Sequence, residues 1–178
     1  MNSQHNDAVA ALAQHIVERF AENGLTLATA ESCTGGALAC AFAATPGSGE
    51  IFQGGFVCYS KRAKERALGV SPVLLSKDTA VSRSVVETMA RGARERMDCD
   101  FAVAITGVTG PEPDDDGNPV GLVHSAVAAR AGNLDHLEQR LEGAAPETLR
   151  KEAILGALRL LKAALDRRSL VPRADEDR

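Results

Sequence analysis

A chain of 178 residues, 44% of them hydrophobic, is long enough for one domain with a continuous core and leaves little room for a second. Its formal charge of −4 argues against nucleic acid as the main partner, because a phosphate backbone demands a basic surface. No apolar run reaches the roughly 18 residues that a membrane span needs.

With no Trp, one Tyr and five Phe, the core has to be built from Ala, Val, Leu and Ile. The first nine residues are mostly polar and contain no hydrophobic stretch of a secretory signal, so the expected location is the cytoplasm. Val9, Leu12, Ile16, Val17 and Phe20 recur at helical spacing and predict an amphipathic helix ending near Asn23-Gly24. Residues 25–30 form a short strand that runs into the turn Glu31-Ser32-Cys33-Thr34-Gly35-Gly36, and a small-residue helix follows over about 34–44. Pro46-Gly47-Ser48-Gly49 breaks the chain. Residues 54–59 (GGFVCY) read as the second strand, followed by a short charged helix over 61–68. Ser71-Pro72 carries the signature of an N-cap with proline at the first helical position.

A long helix is predicted over 82–97 with Val85, Val86, Met89, Ala90 and Ala93 inward, then the most apolar strand, FAVAIT at 101–106. A continuous apolar run of this kind suits a central strand covered on both faces. After Gly107-Val108-Thr109-Gly110-Pro111 comes an acidic loop over 112–119, then strands over 120–129 and 134–141 joined by Ala131-Gly132-Asn133. So short a link makes that pair antiparallel. Pro146 opens the last helix, with Ile154, Leu158, Leu161 and Leu165 on its buried stripe. The whole predicts an α/β protein: a three-layer α/β/α sandwich around a mixed, mainly parallel five-stranded sheet, one domain over 1–168 and a charged, disordered tail over 169–178. Ala-rich helix faces are compatible with a homo-oligomer.

Glycines cluster at Gly35-Gly36, Gly54-Gly55, and Gly107 with Gly110. Ligands of open α/β sheets bind beyond the carboxyl ends of parallel strands. The first and third clusters lie there; Gly54-Gly55 opens its strand, whose carboxyl end is Tyr59-Ser60. Tight turns that need glycine are the alternative reading. Ser32 at the helix start is either an N-cap or a nucleophile, and as a nucleophile it needs a base. No Ser-His-Asp order presents itself, which leaves lysine as the base. Lys61, Arg62 and Lys64 crowd three cations behind Tyr59, an arrangement that lowers the pKa of one of them, or else they form a solvated basic helix face. Cys33 is a rival nucleophile. Cys33, Cys40, Cys58 and Cys99 form no C-x-x-C pair and no ligand spacing with His5, His15, His124 or His136, so neither a metal nor another cofactor is expected.

The segments AESCTGG (30–36), GGFVCYSKRAK (54–64), AITGVTGP (104–111) and NPVGLVH (118–124) resemble, in order, the CinA C-terminal family of nicotinamide-nucleotide amidohydrolases, and the resemblance runs from about Val9 to Leu165. It implies an α/β/α fold with a mixed five-stranded sheet, and metal-free hydrolysis of the carboxamide of nicotinamide mononucleotide to nicotinate mononucleotide and ammonia. The family's catalytic residues fall on Ser32, Tyr59 and Lys64. The implied roles are attack by Ser32, proton transfer by Lys64 with help from Tyr59, and an oxyanion held by amides near residues 33–35. Thr106, Gly107, Gly110 and Arg150 are implied at the ribose phosphate, and Glu31, Cys33, Thr34, Gly35, Gly36, Ser48 and Lys61 complete the implied substrate-binding set.

The chain also departs from the family pattern. Lys61 replaces the usual Asn, which leaves the choice between Lys61 and Lys64 as base open. Thr109 replaces the usual Ala, and three consecutive aspartates (114–116) occupy a loop that is normally Gly-rich; this acidity is expected to face solvent. An arginine common just before the last helix is replaced by Ala144-Ala145. Many relatives carry a further N-terminal domain associated with pyrophosphatase activity, which is not expected of this sequence. Two other readings stay open: hydrolysis of a different amide, and a non-catalytic nucleotide- or partner-binding module linked to competence or DNA damage.

Overall fold

The computed structural model describes residues 2–143 and 145–169, with side chains from residue 8 through 143 and 145 through 168. The charged tail expected over 169–178 lies outside the described residues, except for the backbone of Ser169. So does Ala144 of the Ala-Ala pair.

The elements in order are α1 (Asn2–Glu22), β1 (Leu27–Glu31), α2 (Ala37–Ala43), α3 (Ser48–Ile51), β2 (Phe52–Val57), α4 (Lys61–Leu68), α5 (Pro72–Lys77), α6 (Arg83–Arg96), β3 (Phe101–Gly107), β4 (Leu122–Ala129), β5 (Leu134–Arg140) and α7 (Pro146–Ser169). Serine hydroxyls start three of the helices: Ser60 accepts from the Ala63 amide, Ser71 from Leu74 and Ser82 from Val85. Two differences from the pattern reading have local causes. The segment 46–49 breaks α2, yet the chain resumes at once as the one-turn α3. β2 starts two residues before Gly54, so its glycines lie inside the strand; a side chain on Gly55 would run into Thr29 Oγ1 on β1.

The five strands lie in the order β2-β1-β3-β4-β5. β1 pairs in parallel with β2 and β3, and β3–β4 and β4–β5 are antiparallel. β4 is therefore the one reversed strand, and the sheet is mixed and mainly parallel as the pattern predicts.

The sheet's two faces have different chemistry. One carries Leu27, Phe101, Val103, Ile105, Val123 and Val127 and packs under α1, α2, α3 and α7. The other is nearly all alanine (Ala28, Ala30, Ala102, Ala104, Ala126, Ala128) and receives Val85, Val86, Met89, Ala90 and Ala93 of α6. Small strand residues let this helix lie close to the sheet. The two apolar layers hold the carboxyl ends of β1 and β3 side by side, and the cleft opens there.

Candidate active site

At the end of β1 the chain makes a turn of a particular kind. Glu31, fully buried, points its carboxylate along α2: Oε2 accepts from Thr34 Oγ1 (2.7 Å), Gly36 N (3.1 Å) and Leu38 N (3.0 Å), and Oε1 from Ala39 N (2.8 Å). Gly35 and Gly36 supply the left-handed backbone (φ 62° and 96°) that lets the chain double back over this carboxylate. The helix thus begins at Ala37, three residues later than the spacing predicts, and its first amides are already engaged. Glu31, Thr34, Gly35 and Gly36 build the turn and do not line the cleft.

This leaves Ser32 free. The capping role open to it in the sequence is filled by Glu31, while its own amide bonds to Ile105 O (3.1 Å) and extends the β1–β3 ladder. Gly35 N is bonded to Ser32 O (3.1 Å). Among the described residues the amides of Cys33 and Thr34 donate to no carbonyl or side-chain oxygen, and of these two residues only Cys33 lines the cleft.

Ser32 Oγ lies 2.8 Å from Lys64 Nζ, which donates to Cys58 O at 3.0 Å. Ser32 is 6% exposed and Lys64 1%. Two oxygen partners for an ammonium's three protons, in an apolar setting, favour the neutral amine, and burial holds the Lys64 pKa below its ordinary 10.5. The cause differs from the one suggested by the run of cations. Lys61 is tied to Asp116 at 2.6 Å and Arg62 points outward, so desolvation rather than like charge moves Lys64. The Cys33 thiol, pushed up to about 12 chiefly by burial, stays protonated near neutrality and is a poor rival nucleophile.

The cleft over this pair has a volume of about 540 Å³ and is walled by Tyr59, Lys61, residues 106–110 and the acidic loop 112–116. Tyr59 stands at its rim, 77% exposed, because alternation at the strand end turns Cys58 inward and Tyr59 out. Among the described residues it makes no hydrogen bond to Ser32 or Lys64, although all three line the same cleft. Thr106 faces the cleft but gives its hydroxyl to Ala80 O (2.9 Å), while Gly107 sits where a Cβ would meet Leu122 O at 2.8 Å. Thr109 is accommodated, buried in the cleft wall.

Arg150, in the first turns of α7, is near enough to Cys33 to favour its thiolate, but it is not part of the cleft wall. Ser48 opens α3 just before β2, at the opposite end of α2 from the turn, and does not reach the cleft. The acidic loop faces solvent, with Glu112, Asp115 and Asp116 exposed, and it also forms part of the cleft lining, with Asp116 Oδ2 accepting from Ala80 N (3.2 Å). Nothing in the sequence spacing joins residues 61, 80 and 116. Nor does spacing reveal that His124 Nδ1 and His136 Nε2 meet at 2.9 Å. No group of three or more His, Cys, Asp or Glu among the described residues is placed to hold a metal ion, and no described helix is long and apolar enough to cross a membrane.

Residues 9–165 match the CinA C-terminal domain. A protein of Shewanella oneidensis named nicotinamide-nucleotide amidohydrolase PncC is 46% identical over 123 residues, covering 69% of this chain and 29% of the relative. A CinA-like protein of a Synechococcus strain is 48% identical over 121 residues, again 29% of its own length. The chain thus spans about a third of the curated relatives it matches. Among solved structures, the competence/damage inducible protein CihA from Agrobacterium tumefaciens superposes with a TM-score of 0.85 at 41% identity, covering 89% of this chain and 96% of that one. A CinA superfamily protein from Escherichia coli gives 0.84 at 37% identity, covering 88% and 90%. The chain belongs to the CinA C-terminal domain family.

Proposed function

We propose that this chain is an amidohydrolase that converts nicotinamide mononucleotide to nicotinate mononucleotide and ammonia. The observation that carries the reading is the buried 2.8 Å contact of Ser32 Oγ with Lys64 Nζ. The substrate is suggested by the name of the Shewanella relative.

In this reading Ser32 Oγ attacks the carboxamide carbon and its proton passes to the neutral Lys64 amine. The oxyanion meets the Cys33 amide, and one such donor contributes about 3 kcal/mol. As the tetrahedral adduct collapses, the C–N bond breaks and Lys64 returns the proton to the departing ammonia. Water then attacks the acyl ester, Lys64 accepts the water's proton, and Ser32 leaves with it, freeing the carboxylate. Tyr59, at the rim, contacts the substrate rather than the lysine. Such a reaction belongs to cytoplasmic recycling of pyridine nucleotides and needs no cofactor or macromolecular partner.

The test is ammonia release from nicotinamide mononucleotide by the wild type, Ser32→Ala, Lys64→Ala and Lys61→Ala. The expected result is a loss of about 10³-fold or more in kcat for the first two variants, with Lys61→Ala retaining kcat. Near-wild-type turnover by Ser32→Ala removes the nucleophile assignment, and an active Lys64→Ala beside a dead Lys61→Ala reverses the choice of base.

A further inference from the structure

The cleft's charged lining consists of two lysines, Lys61 and Lys64, and four carboxylates, Glu112, Asp114, Asp115 and Asp116. The lysines are one helical turn apart on α4 and lie at different depths. Lys64 reaches the floor, where burial disfavours its charge. Lys61 stays at the mouth as an ammonium, and that ammonium is occupied: it donates to Asp116 Oδ1 at 2.6 Å. Asp116 is itself held in place. Its second oxygen accepts from Ala80 N, its amide donates to Asp114 Oδ1 (3.1 Å), and Asp114 is locked by Asn118 through its backbone and side-chain N–H (both 2.8 Å). Asn118 Nδ2 in turn reaches Thr79 Oγ1 at 3.2 Å. The ion pair therefore straps the start of α4 to the acidic loop across the mouth, and Asp116's bond to Ala80 ties that loop to the linker before α6.

A dianionic phosphate entering this mouth meets carboxylates and one cation, already engaged. We propose that Lys61 and Asp116 form a charge gate: Lys61 is the cleft residue that receives a substrate's phosphate, and Asp116 competes with the phosphate for the same ammonium. The gate deepens the reading above, since it rests on the cleft taking a phosphorylated substrate, but its behaviour is measurable without catalysis.

The experiment is calorimetric titration with ribose 5-phosphate, which carries the phosphate and lacks the amide. The proteins are the wild type, Asp116→Asn, Lys61→Met, the double variant and Asp115→Asn. Asp115→Asn removes the same charge from the same wall without releasing Lys61. Asp116→Asn is expected to bind about three- to fivefold more tightly than wild type, the scale of a partly exposed ion pair, and more tightly than Asp115→Asn. Lys61→Met is expected to bind more weakly than wild type and to abolish the gain in the double variant. The gate is overturned if Asp116→Asn binds no better than Asp115→Asn, if the gain survives without Lys61, or if no protein of the set binds the probe. A working gate in a protein that releases no ammonia from nicotinamide mononucleotide sinks the amidohydrolase reading alone; ammonia release with no gain in Asp116→Asn sinks the gate alone.

Discussion

Two lysines three positions apart on one short helix have opposite chemistry because they end at different depths. Lys61 stops at the mouth against a carboxylate, while Lys64 passes into the apolar layer and stops at a serine and a carbonyl. Composition and spacing make Ser32 and a lysine of α4 legible as partners, but burial is a property of the packed molecule, so the choice between the lysines is not. The same holds for Tyr59, which its type and strand-end position mark as functional although alternation leaves it at the rim. If neutral Lys64 is the base, kcat/KM for the amide should rise with pH along a limb whose midpoint lies below 10.5, since the active form is the deprotonated one and burial moves its pKa down. Lys64→Arg should lose about 10²–10⁴-fold in kcat, because a guanidinium cannot act as the base. A flat pH profile from neutrality upward, or Lys64→Arg within tenfold of wild type, would remove the lysine from this role.

The turn between β1 and α2 shows how an element can conceal a residue's task. Glu31 lies inside the most recognisable string of the sequence and is grouped there with substrate-binding residues, yet its carboxylate serves the helix. Ordinary caps are read from a side chain immediately before the first turn. Here the carboxylate comes from a strand end and reaches over a Gly-Gly reversal to amides up to eight positions on, a distance no capping pattern covers. Helix limits that depend on such contacts are likewise hidden, which is why α2 starts late; α3, a single turn with no side-chain cap, carries no start signal, whereas α4, with a plain Ser60 cap and Gly69 stop, is legible end to end. Glu31→Ala strips partners from a buried hydroxyl and three amides and should cost about 3 kcal/mol or more in urea-unfolding free energy. Thr34→Val, which removes one of these donors and leaves the amides bonded, should cost about 1 kcal/mol. Comparable losses for the two variants would show that the carboxylate is not what holds the turn.

Across the whole molecule the layered architecture was legible because the period of apolar residues changes cleanly between helix and strand, and the short link at 131–133 forces β4 and β5 to run antiparallel. Strand order was not: nothing local says that β1 sits between β2 and β3 while β5 takes the far edge. That order creates contacts with consequences for stability, and the histidine pair is the clearest. His124 on β4 and His136 on β5 stack at 5.2 Å with a 2.9 Å nitrogen–nitrogen contact, under α6 and beside Thr106 of β3. The charged groups around them are Arg83 and Glu87 of α6 and Glu138 and Arg140 of β5. Burial, first, and neighbouring positive charge hold both imidazoles below the ordinary 6.5. The unfolded chain therefore takes up protons at these sites before the folded one does. Stability from the neutral pair is complete above about pH 7 and falls as pH drops through 6.5 toward the folded values. The carboxylates held low by ion pairs, Asp116, Glu147 and Asp166, act in a separate window, losing their share only as pH falls below ordinary values of 3.8 to 4.5. Urea midpoints measured at pH 7.5 and 5.5 should thus differ, with the lower value in acid, and the difference should shrink in His136→Gln, which keeps a polar group at the contact and removes one titrating ring. An unchanged acid loss in that variant would place the sensitivity elsewhere in the fold.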